Sequence, residues 1–230
     1  MKTFLLVIVA VLAVCSSAFA TQCSCLRAVL GHGRALLQRF RELLLCTEQW
    51  ITMSQGCRNA VHKQIHMEVA ASVQYLAMGA HFSKDSVNRP GFAKMFFEAS
   101  SEEREHALKL IEYLLMRGEL TTNVTSLITI RPPEHKFWAS GQAALEEALK
   151  METAVTNAIR NVIIKCEHDR EDNDNNDYHL VDYLTGEFLE EQYKGQRDIA
   201  GRASTLKKMM DRHSALGEFI YDKKLLGMDI

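Results

Sequence analysis

Proline and glycine are scarce in this chain, with 3 Pro and 12 Gly in 230 residues. Both residues break helices, so their scarcity favours long helical segments. Charge of either sign is not in excess: 27 Lys and Arg stand against 29 Asp and Glu, a formal net charge of −2. That balance carries no electrostatic sign of nucleic-acid binding. Beyond the first twenty residues no apolar run is long enough to span a bilayer. The C-terminal Gly-Met-Asp-Ile carries no retention signal.

What is present begins with a signal sequence. Lys2 opens a short positive end, Phe4 to Cys15 form an apolar core, and Ala18-Phe19-Ala20 is an A-x-A cleavage site. Residues 1–20 are therefore expected to be removed on entry to the secretory pathway, and the apolar run is too short for a membrane anchor. Cys15 leaves with them. Cys23, Cys25, Cys46, Cys57 and Cys166 remain and enter an oxidising compartment where disulfides form. Their number is odd, which leaves one sulfur free or bonded to another chain. Asn123-Val124-Thr125 is a sequon for glycosylation in a secreted protein.

With 47% hydrophobic residues the rest is enough for one sizeable domain. Pro90 and the pair Pro132-Pro133 punctuate it. Helical periodicity predicts helices at roughly 55–83, 91–118, 137–168 and 178–210, then a short one near 215–226. The connection 119–136 is longer than an adjacent antiparallel turn needs. The predicted fold is all-α, a ferritin-like four-helix bundle with one long crossover and a short fifth C-terminal helix. Residues 21–49 form an N-terminal extension ahead of a domain covering 50–230. Within it, 24–47 is Leu- and Arg-rich with Glu42 its one acid. An amphipathic arm for a partner or membrane surface is one reading. A disordered extension or a gene-prediction artefact is favoured over it. The acidic run 167–177 fails as a calcium loop, because Asp177 falls where Gly is needed and Tyr183 where Glu is needed.

The inward face of a bundle helix should be apolar at spacings of three and four. Val61, Ile65, Glu68, Ser72 and Tyr75 form the first such stripe, and Phe92, Phe96, Ala99, Glu103, His106 and Leu110 the second. Leu145, Leu149, Glu152, Val155 and Ile159 form the third. Val181, Leu184, Phe188, Gln192, Gly195 and Ile199 form the fourth. Polar groups break every stripe near its middle. A lone Glu-x-x-His on a helix is usually a wet face. Three carboxylates and an imidazole at one depth, however, would repel one another unless a cation joined them. Oxygen and nitrogen donors without thiolate suit iron better than structural zinc. Glu103 and His106, three apart, can reach one metal. Glu102 lies about 100° around the same helix, within swing of a second ion. Tyr75 can hydrogen-bond a ligand carboxylate.

These residues resemble a known family. EVAASVQYLAMGAHF, FFEASSEEREHALKLIEYLLMRGE, ALEEALKMETAV, EEQYKG and GEFIYDKKLLG are together similar to ferritin. The signal sequence and YLTGEFLEEQYKGQRDIAG resemble the heavy-chain homologue of secreted insect ferritins. The resemblance implies oxidation of Fe(II) by O2 at a paired-iron site and storage of Fe(III) as mineral, with iron as substrate. Glu68, Glu103 and His106 would hold one iron. Glu103 would bridge to a second held by Glu152, with Glu102 close by and Tyr75 and Gln192 in support. Asp182 matches one carboxylate of an iron-entry channel whose usual Glu is Thr185 here, leaving neighbours such as Asp177 to share the role. Glu105 matches a mineral-nucleating Glu, while Leu108 replaces another. Partners implied are heavy and light ferritin subunits in a shell of about twenty-four with closed symmetry. Because the long crossover makes the first and third helices antiparallel, Cys57 is expected to bond Cys166; Cys23 is the interchain candidate. Three rivals stand: a storage-only, light-chain-like subunit; a secreted helical signalling bundle, which explains none of the four stripe breaks; and a di-iron oxidase of an organic substrate. The last should show a second Glu-x-x-His on the fourth helix, and EFLEEQYKG has none.

Overall fold

The computed structural model describes residues 52–118, 128, 130–168 and 176–228. The signal sequence, the segment 24–47, Cys23, Cys25, Cys46 and Asn123 lie outside the described residues. Among those described there is no strand. Helix α1 spans Gln55–Phe82, α2 Pro90–Met116 and α3 Gly141–Glu167. The fourth column is composite: α4 at Tyr178–Tyr183, a π-helical turn at Leu184–Leu189, and α5 at Glu190–Leu225. Ser214 (φ 51°, ψ −132°) breaks α5 into arms 190–213 and 215–225, the second being the expected fifth helix. All these elements lie in one compact unit, Ile51–Ile230.

Side-chain caps set the helix starts. Ser54 Oγ accepts from Cys57 N at 3.2 Å, Ser140 Oγ from Ala143 N at 3.1 Å, and Asp177 Oδ1 from Leu180 N at 3.2 Å. The Ser140 cap is why α3 begins at Gly141 and not near 137 as periodicity suggested. Residues 137–140 instead lead in without helix, with Trp138 buried and its Nε1 donating to Glu147 Oε2 at 2.8 Å. The N-terminus of α2 has a more distant partner. Asp222, on the short arm of α5, accepts from Gly91 N at 2.8 Å and Phe92 N at 3.0 Å. One turn earlier, Glu218 accepts from Gly141 N at 2.9 Å and pairs with Arg89 at 3.0 Å. Two buried carboxylates thus close the positive ends of two bundle helices and dock the fifth. The approach is so close that a Cβ at Gly91 would sit 2.0 Å from Asp222 O.

Helix α1 packs on α2 and α3, and α5 on α3 and α2, as a four-helix bundle requires. The core falls into two apolar clusters. One gathers Ile65, Leu110, Ile159 and Leu184; the other Tyr75, Phe92, Phe96 and Leu145. Between them, at the middle of each column, lies a polar layer. Between Tyr178 and Gly195 of the fourth column the buried residues are Leu180, Leu184, Phe188 and Gln192, whereas Val181 is only partly buried and Gly195 is exposed. A pure α-helix rotates four-residue steps by about 40° each and would carry these off one face. The wider π turn absorbs that drift and keeps them inward, as the ring contact of Tyr183 with Phe188, five residues on, records at 5.7 Å.

Cys57 and Cys166 form a disulfide with Cα atoms 4.7 Å apart, joining the start of α1 to the end of α3. Closing a loop across a separation of 109 residues should stabilise the chain by about 4–5 kcal/mol. Denaturant unfolding of Cys57→Ser with Cys166→Ser is expected to show a loss of that order; a loss under about 1 kcal/mol would contradict it. Asp222→Ala should cost about 2–3 kcal/mol by orphaning two buried amides, measurable in the same experiment.

Candidate metal centre

The polar layer is built from one or two side chains per column. Glu68 of α1 and Glu103 and His106 of α2 are all buried, and each offers a ligand atom within 4.8 Å of the other two. Glu103 Oε2 lies 3.7 Å from His106 Nδ1, close enough for attraction but too long for a hydrogen bond. Gln64, one turn before Glu68, donates to Glu68 Oε1 at 2.8 Å. Three donor atoms remain without any hydrogen-bond partner: Glu68 Oε2, Glu103 Oε2 and His106 Nδ1. What sets these three apart is that they face one another, an arrangement that suits a cation. Two carboxylates and an imidazole are hard-to-borderline donors appropriate to iron.

Across the layer α3 contributes Glu152, which is buried, receives the Tyr75 hydroxyl on Oε1, and raises the Glu103 pKa by its charge. Helix α5 contributes buried Gln192, whose Oε1 lies 2.9 Å from Thr156 Oγ1. On the rim, Glu191 Oε2 stands 3.3 Å from His106 Nε2 and 3.7 Å from Lys109 Nζ. Glu102 is exposed at the same edge.

A ferritin-like domain model matches residues 58–209, a span that contains every group just described. The chain belongs to the ferritin family. It is 64% identical to the ferritin heavy chain of Papilio xuthus and 62% identical to that of Trichoplusia ni, each over 230 residues and the full length of both chains. Those alignments therefore include residues 24–47. The ferritin heavy chain of Drosophila melanogaster is 53% identical over 78% of this chain and 85% of its own. The crystal structure of Trichoplusia ni secreted ferritin superposes with a TM-score of 0.76 at 70% identity, covering 80% of this chain and 94% of that one.

Not every ferritin position singled out from sequence joins the layer. Glu105 is exposed, and Leu108 is half-exposed. Asp182 and Thr185 lie exposed on α4 and the π turn. Asp177 caps α4 and pairs with Arg117 at 2.8 Å, both through Oδ1. Gln64, Glu191, Thr156 and Gln196 were not singled out. Their only sequence signal is position, one helical turn or one residue from a stripe break.

The electrostatics follow from burial. Desolvation, with Glu103 beside it, pushes the Glu68 carboxyl well above the usual range. Desolvation and the Glu152 charge raise Glu103 to about 8. The Tyr75 phenol is also pushed well above its ordinary value, by burial and then by Glu152, so it remains a donor. Burial raises Glu102 as well. A carboxyl raised on folding contributes stability that is complete below the unfolded pKa near 4.5 and is lost as pH rises toward about 8. Metal-free protein should therefore melt at steadily lower temperature between pH 5 and 8, and Glu103→Gln should flatten that slope. Redox-inert Zn(II) should offset the loss at the upper end. A slope unaffected by Glu103→Gln would overturn this assignment.

Proposed function

We propose that this chain is a catalytic, heavy-chain-type ferritin subunit that oxidises Fe(II) with O2 and passes Fe(III) to a mineral store. The observation carrying the reading is the trio of orphaned buried donors on Glu68, Glu103 and His106. A subunit serving only as shell would have no physical reason to keep uncompensated carboxylates in its core. Glu68, Glu103 and His106 hold one Fe(II). Glu103 bridges to a second, held by Glu152, with Glu102 at the rim where iron enters or leaves. Each Fe(II) gives up one electron, and dioxygen takes the electrons up together with protons.

Iron is substrate at this site, so the site must also let go. Its charge is graded to that end: the fourth column offers neutral Gln192 where a permanent di-iron oxidase would place a second Glu-x-x-His. Protons on Glu68 and Glu103 leave as metal arrives, and their return favours release. Asp182 is a candidate for cation entry and Glu105 for nucleation inside the shell. The assembly proposed is a closed shell of about twenty-four subunits shared with light chains and formed in the secretory pathway. The cleavage pattern at Ala18–Ala20 supports that localisation, as does the likeness to a secreted ferritin. Asn123 is proposed as a glycan site and Cys23 as an interchain disulfide partner.

Glu103→Ala combined with His106→Ala should lower the initial rate of Fe(II)-dependent O2 consumption by assembled protein at least about a hundredfold. Shell assembly should persist. Oxidation at the parent rate would transfer the chain to the storage-only reading.

A further inference from the structure

One set of contacts around the polar layer concerns no iron-holding atom. Thr156 Oγ1, one turn after Glu152 on α3, lies 2.8 Å from Glu152 O and 2.9 Å from Gln192 Oε1. Gln196, one turn after Gln192 on α5, directs Nε2 to both Glu152 O, at 3.1 Å, and Thr156 Oγ1. Thr156 has one hydroxyl proton and two acceptors in reach. Counting lone pairs decides where it goes. As residue i of an i, i+4 pair within α3, Glu152 O already takes the Thr156 backbone N–H. It also takes a Gln196 amide proton, so both its lone pairs are used. The second Gln196 proton goes to Thr156 Oγ1, and the Thr156 proton then belongs to Gln192 Oε1. The opposite orientation of the Gln192 amide would put three donors on one carbonyl and is disfavoured.

The consequence falls on Gln192. Its oxygen is engaged by Thr156, and its nitrogen has no protein acceptor among the described residues. A carboxamide oxygen that accepts from Thr156 is held toward α3, with one of its two lone pairs already used. What it presents at the level of the polar layer is a pair of N–H donors.

We propose that Thr156, itself held by Gln196, is a positioning residue that fixes the Gln192 amide with its nitrogen as the free end. Gln192 then serves the oxidation as a hydrogen-bond donor to dioxygen or water, not as an iron ligand. The inference rests on the ferroxidase reading above and names a role for two residues that reading leaves unused. Thr156→Val removes the hydroxyl at nearly constant volume, and Thr156→Ser keeps it. In assembled protein, Thr156→Val should lower the maximal rate of Fe(II) oxidation roughly three- to tenfold, the worth of one hydrogen bond. Half-saturating Fe(II) should stay within about twofold, since the residues that hold iron are untouched. Thr156→Ser should restore the rate. Thr156→Val with Gln192→Ala should be no slower than Gln192→Ala alone, because the effect passes through Gln192.

Co(II) absorption supplies a readout independent of turnover. Freed from Thr156, the Gln192 oxygen can enter the coordination sphere, so Thr156→Val should shift the visible Co(II) bands. Thr156→Ser should leave them as in the parent, and adding Gln192→Ala to Thr156→Val should abolish the shift. An unchanged rate and spectrum in Thr156→Val, failure of Ser to rescue, or additive losses in the double variant would each overturn the proposal. Should Glu103→Ala with His106→Ala retain both oxidation and Co(II) binding, the ferroxidase reading itself fails and takes this inference with it. Should that pair lose both while Thr156→Val behaves as parent, only the positioning role is wrong.

Discussion

Burying ionisable groups without partners is the constraint around which this bundle is organised. Glu68, Glu103, His106 and Glu152 sit between two apolar clusters, where each unpaired charge costs several kcal/mol. The metal-free chain limits that cost by keeping protons on Glu68 and Glu103, and by hydrogen bonds from Gln64 and Tyr75. These measures are partial, since the orphaned atoms remain. The remainder of the fold must therefore be stable enough to tolerate a centre that favours opening. The disulfide between α1 and α3 closes one end of the bundle. The Asp222 and Glu218 caps close the other.

Holding four columns in register through such a layer also demands control of helical phase. The π turn at Leu184–Leu189 lets Leu180, Leu184, Phe188 and Gln192 share a face. Gln192 is thereby delivered inward at the level of Thr156, and Glu191 to the rim beside His106. Later in the same column Ser214 occupies a backbone region that costs about 1–3 kcal/mol in a non-glycine residue. The docked carboxylates of the short arm offset it. Close packing at this reversal leaves no room for a Cβ at Gly217, which would meet Met209 O at 2.6 Å.

Much of this was legible before any coordinates, and for a definable reason. A stripe of period three and four specifies which face is buried, so Glu68, Glu103, His106, Glu152 and Gln192 announce themselves as exceptions on that face. Cys57 with Cys166 follows from topology once the crossover makes two helices antiparallel. Periodicity says nothing about contacts made sideways between columns. Thr156, Gln196 and Glu191 break no apolar stripe, so periodicity does not mark them. The ion pair of Asp177 with Arg117, 60 residues away in sequence, is likewise invisible to periodicity. The π turn has no sequence signature, and the start of α3 depended on one serine hydroxyl at Ser140.

The central claim is that the buried layer exists to hold iron in transit. Anomalous diffraction at the iron edge, from crystals of assembled protein soaked anaerobically in Fe(II), tests it most directly. The account predicts one peak bounded by Glu68, Glu103 and His106, and a second beside Glu152 with Glu103 between the two. Density confined to the shell surface or the channels, with the buried trio empty, would contradict it.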